Sequence, residues 1–184
     1  MQRELVLRAS SGDHDAFASL ATDAYARLHR TAWLILRRED LASDAVQEAL
    51  TSAWLHIRAV RDADRFDAWL NRLVVRACYQ ELRRARRGPI EIHVDTIEPP
   101  GVDDATGSIA DRDQLDRGFK RLSVEHRAVL VVHHYLGLAD AEAATVLDLP
   151  LGTYKSRLNR AHQSLRAALE ADERVAGIGK ESVA

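Results

Sequence analysis

Apolar side chains recur every three or four residues through most of the first 87 positions, which is the spacing that places them on one side of an α-helix. One such stripe predicts a helix that Asp13 or Asp15 caps and that runs to Leu36. Two more predict helices over residues 41–57 and 64–87, and a short helix over residues 3–8 precedes them. The pattern therefore predicts a helical first domain.

Helical spacing resumes near residue 109 and predicts helices over four segments of the second half. Ser123 is suited to cap one of them, and Gly137 is suited to a position after its end where φ is positive. The break at residues 148–152 separates a short helix from a longer one. The four predicted segments are residues 109–121, 124–135, 140–147 and 152–172.

The segment between the two helical blocks has the composition of a linker. Gly88-Pro89 and Pro99-Pro100-Gly101 disfavour a helix there, because proline removes a donor and glycine costs conformational entropy. We therefore predict an all-α chain of two small helical domains. Its predicted divisions are a first domain (1–87), an acidic linker (88–109), a helix-turn-helix domain (110–172) and a C-terminal tail (173–184).

Charge is distributed unevenly along this chain of 184 residues. Residues 88–113 carry seven acids and one base, a net charge of −6, whereas the whole chain carries −2, which leaves +4 for the remainder. The one cysteine, Cys78, excludes an internal disulfide and fits a reducing cytoplasm. No signal peptide and no run of about 18 apolar residues is present. We expect a cytoplasmic protein without membrane insertion.

The strongest local pattern lies in residues 138–161, where a short helix, a turn and a longer helix follow the helix-turn-helix plan. Tyr154, Leu158 and Ala161 are spaced to face inward, with Leu165 and Leu169 further on. The opposite side can contact phosphates and base edges, or it can be a solvated face. Its candidate DNA-binding residues are Thr153, Lys155, Ser156, Arg157, Asn159 and Arg160.

A second basic face follows the helix predicted over residues 64–87. Four arginines and one glutamine recur on it at spacings of four, four, three and four, and Glu81 is the only acid after Asp67 in that segment. An anionic partner would relieve the repulsion, and Trp69 offers a surface on which a base can stack. An arginine-rich solvated surface is the alternative. The candidate residues are Arg65, Trp69, Arg72, Arg76, Gln80, Arg83, Arg84 and Arg87.

The helix predicted over residues 41–57 carries an acidic group, Asp44, Gln47 and Glu48, which is either a solvated face or a docking surface for a basic protein. No nucleophile converges on it, so an enzyme is the least favoured class. His133 and His134 are adjacent, and on a helix they point about 100° apart, which does not suit chelation. We expect no metal and no cofactor, and we interpret Cys78 as a buried structural thiol.

Three segments together resemble the extracytoplasmic-function sigma factors of the sigma-70 family. Asp44-Ala45-Val46-Gln47-Glu48 with Ala53-Trp54 resembles the family's helix that binds core polymerase. Arg65-Phe66-Asp67-Ala68-Trp69-Leu70 with Leu82-Arg83-Arg84 resembles the helix of the −10 element. Leu151-Gly152-Thr153-Tyr154-Lys155-Ser156-Arg157-Leu158-Asn159-Arg160-Ala161 is similar to the helix that reads the −35 element. The resemblance covers residues 10–170.

The resemblance implies a sigma subunit that binds core RNA polymerase, through its β′ and β subunits, and promoter DNA, with an anti-sigma factor as a further partner and a monomer as the free form. Asp44, Gln47 and Glu48, with Val46 and Trp54, would form the polymerase surface. The basic face would hold the −10 strand, with residues 58–67 around a flipped base, and the helix-turn-helix would enter the −35 major groove. The linker would follow the RNA path of the polymerase.

Two segments depart from the family pattern. Arg76-Ala77-Cys78-Tyr79-Gln80 stands where the family usually has Asn-Leu-Ala-x-Asp, and Asp140-Ala141-Glu142-Ala143-Ala144 replaces Tyr-x-Glu-Ile-Ala. The first change puts the usual −10 preference in question, and the second puts the packing at Ala143 in question. A stand-alone helix-turn-helix regulator and a helical adaptor without a DNA role are the rival interpretations. The basic face and the acidic linker disfavour the regulator, and binding to heparin that does not depend on salt would favour the adaptor.

Overall fold

The structure is a computed structural model, and it describes residues 1–60, 62–85 and 109–181, with side chains for residues 1–60, 62–84 and 113–172. The regular elements in those ranges are all helical. The chain divides into two compact units, Met1–Pro99 and Pro100–Ala184. Residues 88–108 of the predicted linker lie outside the described residues. Among the described helices, none is long and apolar enough to cross a membrane.

The first unit contains α1 (Gln2–Ser10), α2 (His14–Leu36), α3 (Glu39–His56) and α4 (Phe66–Ala85). Short 3₁₀ turns at Ile57–Ala59 and Ala63–Arg65 join the last two of these. The four helices predicted from the apolar spacing are confirmed, with ends shifted by a few residues. The start of the last shifts to residue 66 because a 3₁₀ turn precedes it.

A buried core holds α2, α3 and α4 together. Apolar side chains from all three are withdrawn from water, which is the main stabilising term of such a bundle. The Arg27 guanidinium adds a polar link between α2 and α4, since it donates to Asn71 Oδ1 at 2.6 Å and to Asp67 Oδ1 at 2.7 Å. Fully buried core residues include Leu28, Ile35, Val46, Phe66, Leu70 and Val74.

α2 begins directly after Asp13, one of the two predicted capping residues. The Asp13 carboxylate accepts from the Ala16 backbone N–H at 3.0 Å, and Arg8 pairs with the same carboxylate at 2.7 Å. The backbone hydrogen bond and then Arg8 lower the pKa of Asp13. Of the two candidate caps in the sequence, Asp13 is therefore the one used.

The second unit contains α5 (Ile109–Lys120), α6 (Val124–Leu130), α7 (Asp140–Val146) and α8 (Leu151–Glu181). The predicted caps are confirmed, because the Ser123 hydroxyl accepts from the His126 N–H at 3.2 Å and Gly137 has a φ of 63°. The predicted helix over residues 124–135 changes at Val131–Tyr135 into a π-helical turn. α8 continues to Glu181, beyond the predicted end at residue 172.

Packing in the second unit centres on α8, which α5, α6 and α7 contact. Gly118 permits the close approach of α5, since a Cβ there would lie 2.9 Å from Leu169 Cδ2. Arg117 and Arg121 both pair with the Asp172 carboxylate across the same two helices. The α8 residues predicted to face inward include Tyr154 and Ala161, and both are fully buried.

Candidate functional site

The helix-turn-helix predicted in residues 138–161 is confirmed as α7, a turn and α8. The turn passes through Asp148, whose φ of 55° lies in the left-handed region that aspartate tolerates better than most residues. Ala143 is fully buried despite its small size, and Tyr154 is among the largest fully buried side chains. The small side chain questioned at position 143 is therefore withdrawn from water. The large side chain of Tyr154 is buried in the same unit.

One side of the first turns of α8 is open to solvent. Thr153, Arg157 and Arg160 share this side at spacings of four and three, where Arg157 is half-buried and the other two are exposed. Within the described residues, neither arginine has an ion-pair partner, and Arg160 Nε donates only to the Ser156 carbonyl at 3.3 Å. Two unneutralised guanidinium groups on one helix face are suited to bind phosphate or guanine.

Lys155, Ser156 and Asn159 are exposed as well, but they do not all share the direction of Arg157. Lys155 lies two residues from Thr153, which is a rotation of about 200° around an α-helix. Its Nζ is 3.8 Å from Asp140 Oδ2, at the first turn of α7. The lysine therefore belongs to a separate charged group within the same motif.

That group was not visible in the sequence. His133 Nδ1 lies 3.6 Å from Asp140 Oδ1 and 3.3 Å from the Tyr154 hydroxyl, so it stands between α7 and α8. Burial, and then Asp140, raise the pKa of Tyr154 to about 12. No spacing rule relates residues 133, 140 and 155, because three different elements supply them.

A second group joins His134 to His162. Their Nε2 atoms are 2.8 Å apart and their ring centroids 5.1 Å apart, so one imidazole donates a hydrogen bond to the other. Burial lowers the pKa of His134, and His133 and His162 lower it further. Among the described residues, no three side chains of His, Cys, Asp or Glu come together as a metal site.

The basic face of α4 is open to solvent along most of its length. Arg76, Gln80 and Arg83 are exposed and Arg72 is half-buried, and none of the three arginines has an ion-pair partner in the described part of the chain. The opposite side of α4 is apolar and buries Val74, Val75 and Cys78. Arg87 lies outside the described residues.

Two arginines of this predicted set are already paired within the chain. Arg84 pairs with Glu81, whose side chain is only 7% exposed, so Arg84 carries less free charge than its neighbours. Arg65 Nε lies 3.6 Å from Asp62 Oδ2 in the 3₁₀ turn before α4. The three-residue spacing of both pairs was the signal that could have found them.

Trp69, the predicted stacking residue, is half-buried at the start of α4. Its ring lies 5.8 Å from that of Phe66, and the two planes are inclined at 44°. Phe66 is buried beneath it, so the indole has a fixed support and keeps part of its surface exposed. A supported and partly exposed indole is suited to stack on an unpaired base.

The acidic group on α3 forms an exposed surface of Asp44, Gln47 and Glu48. The neighbouring acids do not extend it, because Glu39 pairs with His29 at 2.9 Å and Asp40 pairs with Arg38. An open apolar groove lies between α2 and α3. The groove is lined by Ala21, Thr22, Tyr25, Ala26 and Leu50.

Val46 and Trp54 were predicted to belong to the same surface. Val46 is fully buried, so including it as a contact residue was wrong: its side chain packs in the core and supports α3 from below. Trp54 is half-buried against α2, with ring centroids 4.3 Å from His14 and 5.1 Å from Phe17. Its exposed part can still contact a partner.

Cys78 is fully buried on the core side of α4. Burial raises the pKa of the thiol far above its ordinary range, and the charge of Glu81 acts in the same direction. The nucleophilic thiolate is therefore scarce. This burial confirms the interpretation of Cys78 as a structural thiol.

Comparison with known proteins gives a consistent set of relatives. Residues 20–88 match the family described as sigma-70 region 2. The chain is 35% identical over 166 residues to the ECF RNA polymerase sigma factor SigM of Mycobacterium tuberculosis, covering 90% of this chain and 83% of that protein. It is 23% identical over 184 residues to the ECF RNA polymerase sigma factor SigW of Bacillus subtilis, covering 92% and 97%.

Two solved structures are similar over most of the chain. CnrH in complex with the cytosolic domain of CnrY matches with a TM-score of 0.63 and 27% identity, covering 93% of this chain and 98% of that one. The sigma factor RpoE in complex with the anti-sigma factor NepR, from Bartonella quintana, matches with a TM-score of 0.67 and 25% identity, covering 85% and 98%. Each of these structures contains a complex with a second protein.

Proposed function

The chain belongs to the extracytoplasmic-function sigma factors of the sigma-70 family, and from that premise we propose that it is a promoter-specificity subunit of RNA polymerase. It binds core polymerase and directs transcription initiation at promoters with −35 and −10 elements. Its role is regulatory, and the chemistry of RNA synthesis belongs to the polymerase. It acts in the cytoplasm, where core polymerase is found.

One observation supports this function over a stand-alone regulator: each of the two units presents a cationic face that the chain leaves open. Arg76 and Arg83 lie on α4 of the first unit, and Arg157 and Arg160 lie on α8 of the second. Two DNA-binding faces in one chain suit two separated promoter elements. A conventional helix-turn-helix regulator needs only the second face.

We assign the −35 element to α8. Thr153, Arg157 and Arg160 face the major groove, and the exposed Ser156 and Asn159 extend the contact area. Arginines pair bidentately with the O6 and N7 atoms of guanine, which gives base discrimination, whereas the lysine about 200° away around the helix neutralises a phosphate. Lys155 therefore contributes to affinity more than to the choice of sequence.

We assign the −10 element to α4 and the turns before it. Arg72, Arg76 and Arg83, with Gln80, follow the backbone of the non-template strand, and Trp69 stacks on an unpaired base. Arg65 and Arg84 hold internal carboxylates, so their contribution requires that those pairs open. Arg87 remains a predicted contact at the end of this face.

We assign the polymerase surface to Asp44, Gln47 and Glu48, with the exposed edge of Trp54. The negative charges suit basic side chains of the β′ subunit, and the apolar groove that contains Leu50 and Tyr25 supplies area to exclude water. A combined acidic and apolar surface is typical of a protein interface rather than of a DNA contact. Val46 acts only from inside the core.

The proposed partners include an anti-sigma factor. The structural relatives CnrH and RpoE are each seen with a second protein, the cytosolic domain of CnrY and the anti-sigma factor NepR. Both similarities cover most of this chain, so its surfaces are suited to a partner of the same class. Such a partner would keep the subunit inactive until it is released.

The experiment that tests the function is transcription in vitro with purified core polymerase and fragmented genomic DNA, with and without the folded protein. We expect new transcript starts that share sequence elements near −35 and −10. The Arg157→Ala variant should reduce transcription from these starts about tenfold. Arg166→Ala is the matched control, because Arg166 is an exposed arginine nine residues further along the same helix. No new starts with wild-type protein would favour the stand-alone regulator.

A further inference from the structure

The charged group around Asp140 links the two helices of the helix-turn-helix by side chains alone. Asp140 opens α7, and its carboxylate is not used as a helix cap, since the N-cap position is Ala139. Its Oδ2 lies 3.8 Å from Lys155 Nζ on α8, and its Oδ1 lies 3.6 Å from His133 Nδ1. The carboxylate is thus shared between two cationic or polar neighbours.

His133 connects the Asp140 carboxylate to the buried side chain of Tyr154. His133 lies on the π-helical turn, and its Nδ1 is also 3.3 Å from the hydroxyl of Tyr154. Tyr154 is fully buried, so it anchors the imidazole to the core of the unit. Lys155, in contrast, keeps 58% of its side chain exposed and can exchange one anionic partner for another.

An internal carboxylate and a DNA phosphate compete for one ammonium group. Binding to non-specific duplex comes mainly from lysine and arginine contacts to phosphate, and each contact adds about 0.9 to the slope of log affinity against log salt. A lysine that is held by Asp140 contributes less to this term. It becomes available only where other contacts place a phosphate close enough to displace the carboxylate.

We propose that Asp140 is a positioning residue that restrains Lys155 and thereby raises the discrimination of α8 between a −35 element and unrelated duplex. The proposal rests on the proposed function and names a device within the same site. On unrelated duplex the Asp140–Lys155 pair persists. On the −35 element the contacts of Arg157 and Thr153 bring Lys155 to a phosphate.

Asp140→Asn is the direct test, with polymerase holoenzyme assembled from core and each variant. Two promoter fragments are compared, identical except that one has a scrambled −35 element. We expect the variant to bind the scrambled fragment about three- to tenfold more tightly, with a salt slope steeper by about 0.9. Binding to the intact fragment should change less, so the discrimination between the two fragments falls.

Two further variants separate the pair from a general charge effect. Glu142→Gln removes the same charge from an exposed position two residues along α7. Lys155→Gln removes the partner, and Asp140→Asn should then have only the small effect of Glu142→Gln. A purely structural role of Asp140 would not produce this dependence on Lys155.

The outcomes are distinguishable. If Asp140→Asn acts equally with and without Lys155, or no more strongly than Glu142→Gln, the proposed restraint is wrong. If wild-type holoenzyme binds the intact and scrambled fragments with equal affinity, the assignment of α8 to the −35 element fails instead. Hydrogen exchange of the backbone amides in α7 and α8 verifies that each variant is folded.

Discussion

At the scale of the single residue, full or partial withdrawal from water shifts the pKa of two titratable side chains, Cys78 and His134. The thiol lies on the core side of α4, and the imidazole meets a second imidazole from α8. In both cases withdrawal from water disfavours the charged form, which is the thiolate for cysteine and the imidazolium for histidine. The two effects are measurable separately because the side chains lie in different units.

Cys78 should resist thiol reagents in the folded protein. Because burial raises the pKa of its thiol, reaction requires an opening of the first unit. We expect Ellman's reagent to label the native protein at least ~100-fold more slowly than the protein in denaturant. Cys78 is the only cysteine, so absorbance follows one site. Equal rates in both states would show that the thiol is accessible.

His134 should make the stability of the second unit depend on pH. Its folded pKa lies below the ordinary value of 6.5, so the unfolded state binds the proton more readily. The free energy of unfolding should therefore fall as pH drops below about 6.5, and level off below the folded pKa. The neighbours that act on it are His133 and His162.

Hydrogen exchange of the amides around residues 124–135, measured between pH 7.5 and 5, follows this dependence after correction for intrinsic exchange rates. His134→Gln should flatten it, because glutamine does not titrate. His56→Gln serves as a control, since His56 is exposed in the first unit. If the pH dependence is unchanged in His134→Gln, titration of His134 is not its cause.

At the scale of the element, one glycine forms the turn that ends α6. This turn follows the π-helical residues that extend the helix. Gly137 has a φ of 63°, and a Cβ there would meet nothing within 4 Å, so its requirement is conformational rather than steric. Gly152, at the start of α8, also faces open space, but its φ is not in the left-handed region. We therefore expect alanine to be costly at Gly137 but not at Gly152.

Gly137→Ala should destabilise the second unit by about 1 kcal/mol, because alanine disfavours a positive φ. Gly137→Asn should cost less, since asparagine tolerates the left-handed region. Gly152→Ala is the matched control and should be neutral or slightly stabilising in the free protein. Hydrogen exchange of the α6 and α7 amides measures each change. Equal effects at both glycines would argue against a conformational role.

At the scale of the whole molecule, the proposed function divides between the two units, with one proposed DNA face on each. Contacts to the −35 duplex and to the −10 strand serve different steps, because one element is read as a duplex and the other as an unpaired strand. Variants on the two faces should therefore fail on different templates. This separation is specific to a sigma subunit with two promoter contacts.

Arg157→Ala should reduce transcription about tenfold from a promoter with a −35 element, and far less from a template that lacks one. Arg76→Ala should reduce transcription from both templates, because each requires capture of the −10 strand. Permanganate footprinting of the −10 region, together with transcript yield, distinguishes a binding defect from an opening defect. If Arg157→Ala reduces transcription equally from both templates, the proposed division of promoter contacts between the two units is wrong.

The sequence by itself determined the helices and the two open basic faces. Periodic burial and capping are local properties, so the apolar spacing predicted α1 to α4, and Ser123 and Gly137 marked the ends of segments in the second unit. The exposed arginines of α4 and α8 follow from the same periodicity, because the side opposite a buried stripe faces water.

Only the tertiary structure decided which polar side chains meet. Lys155 reaches Asp140, and His134 reaches His162 across 28 positions, because helices that are distant in sequence pack side by side. The exposure of Asp44, Gln47 and Glu48 beside the fully buried Val46 was likewise decided by the neighbouring helices. Local periodicity specifies the side of each helix that is buried, whereas the contacts between charged groups depend on how the helices are arranged in space.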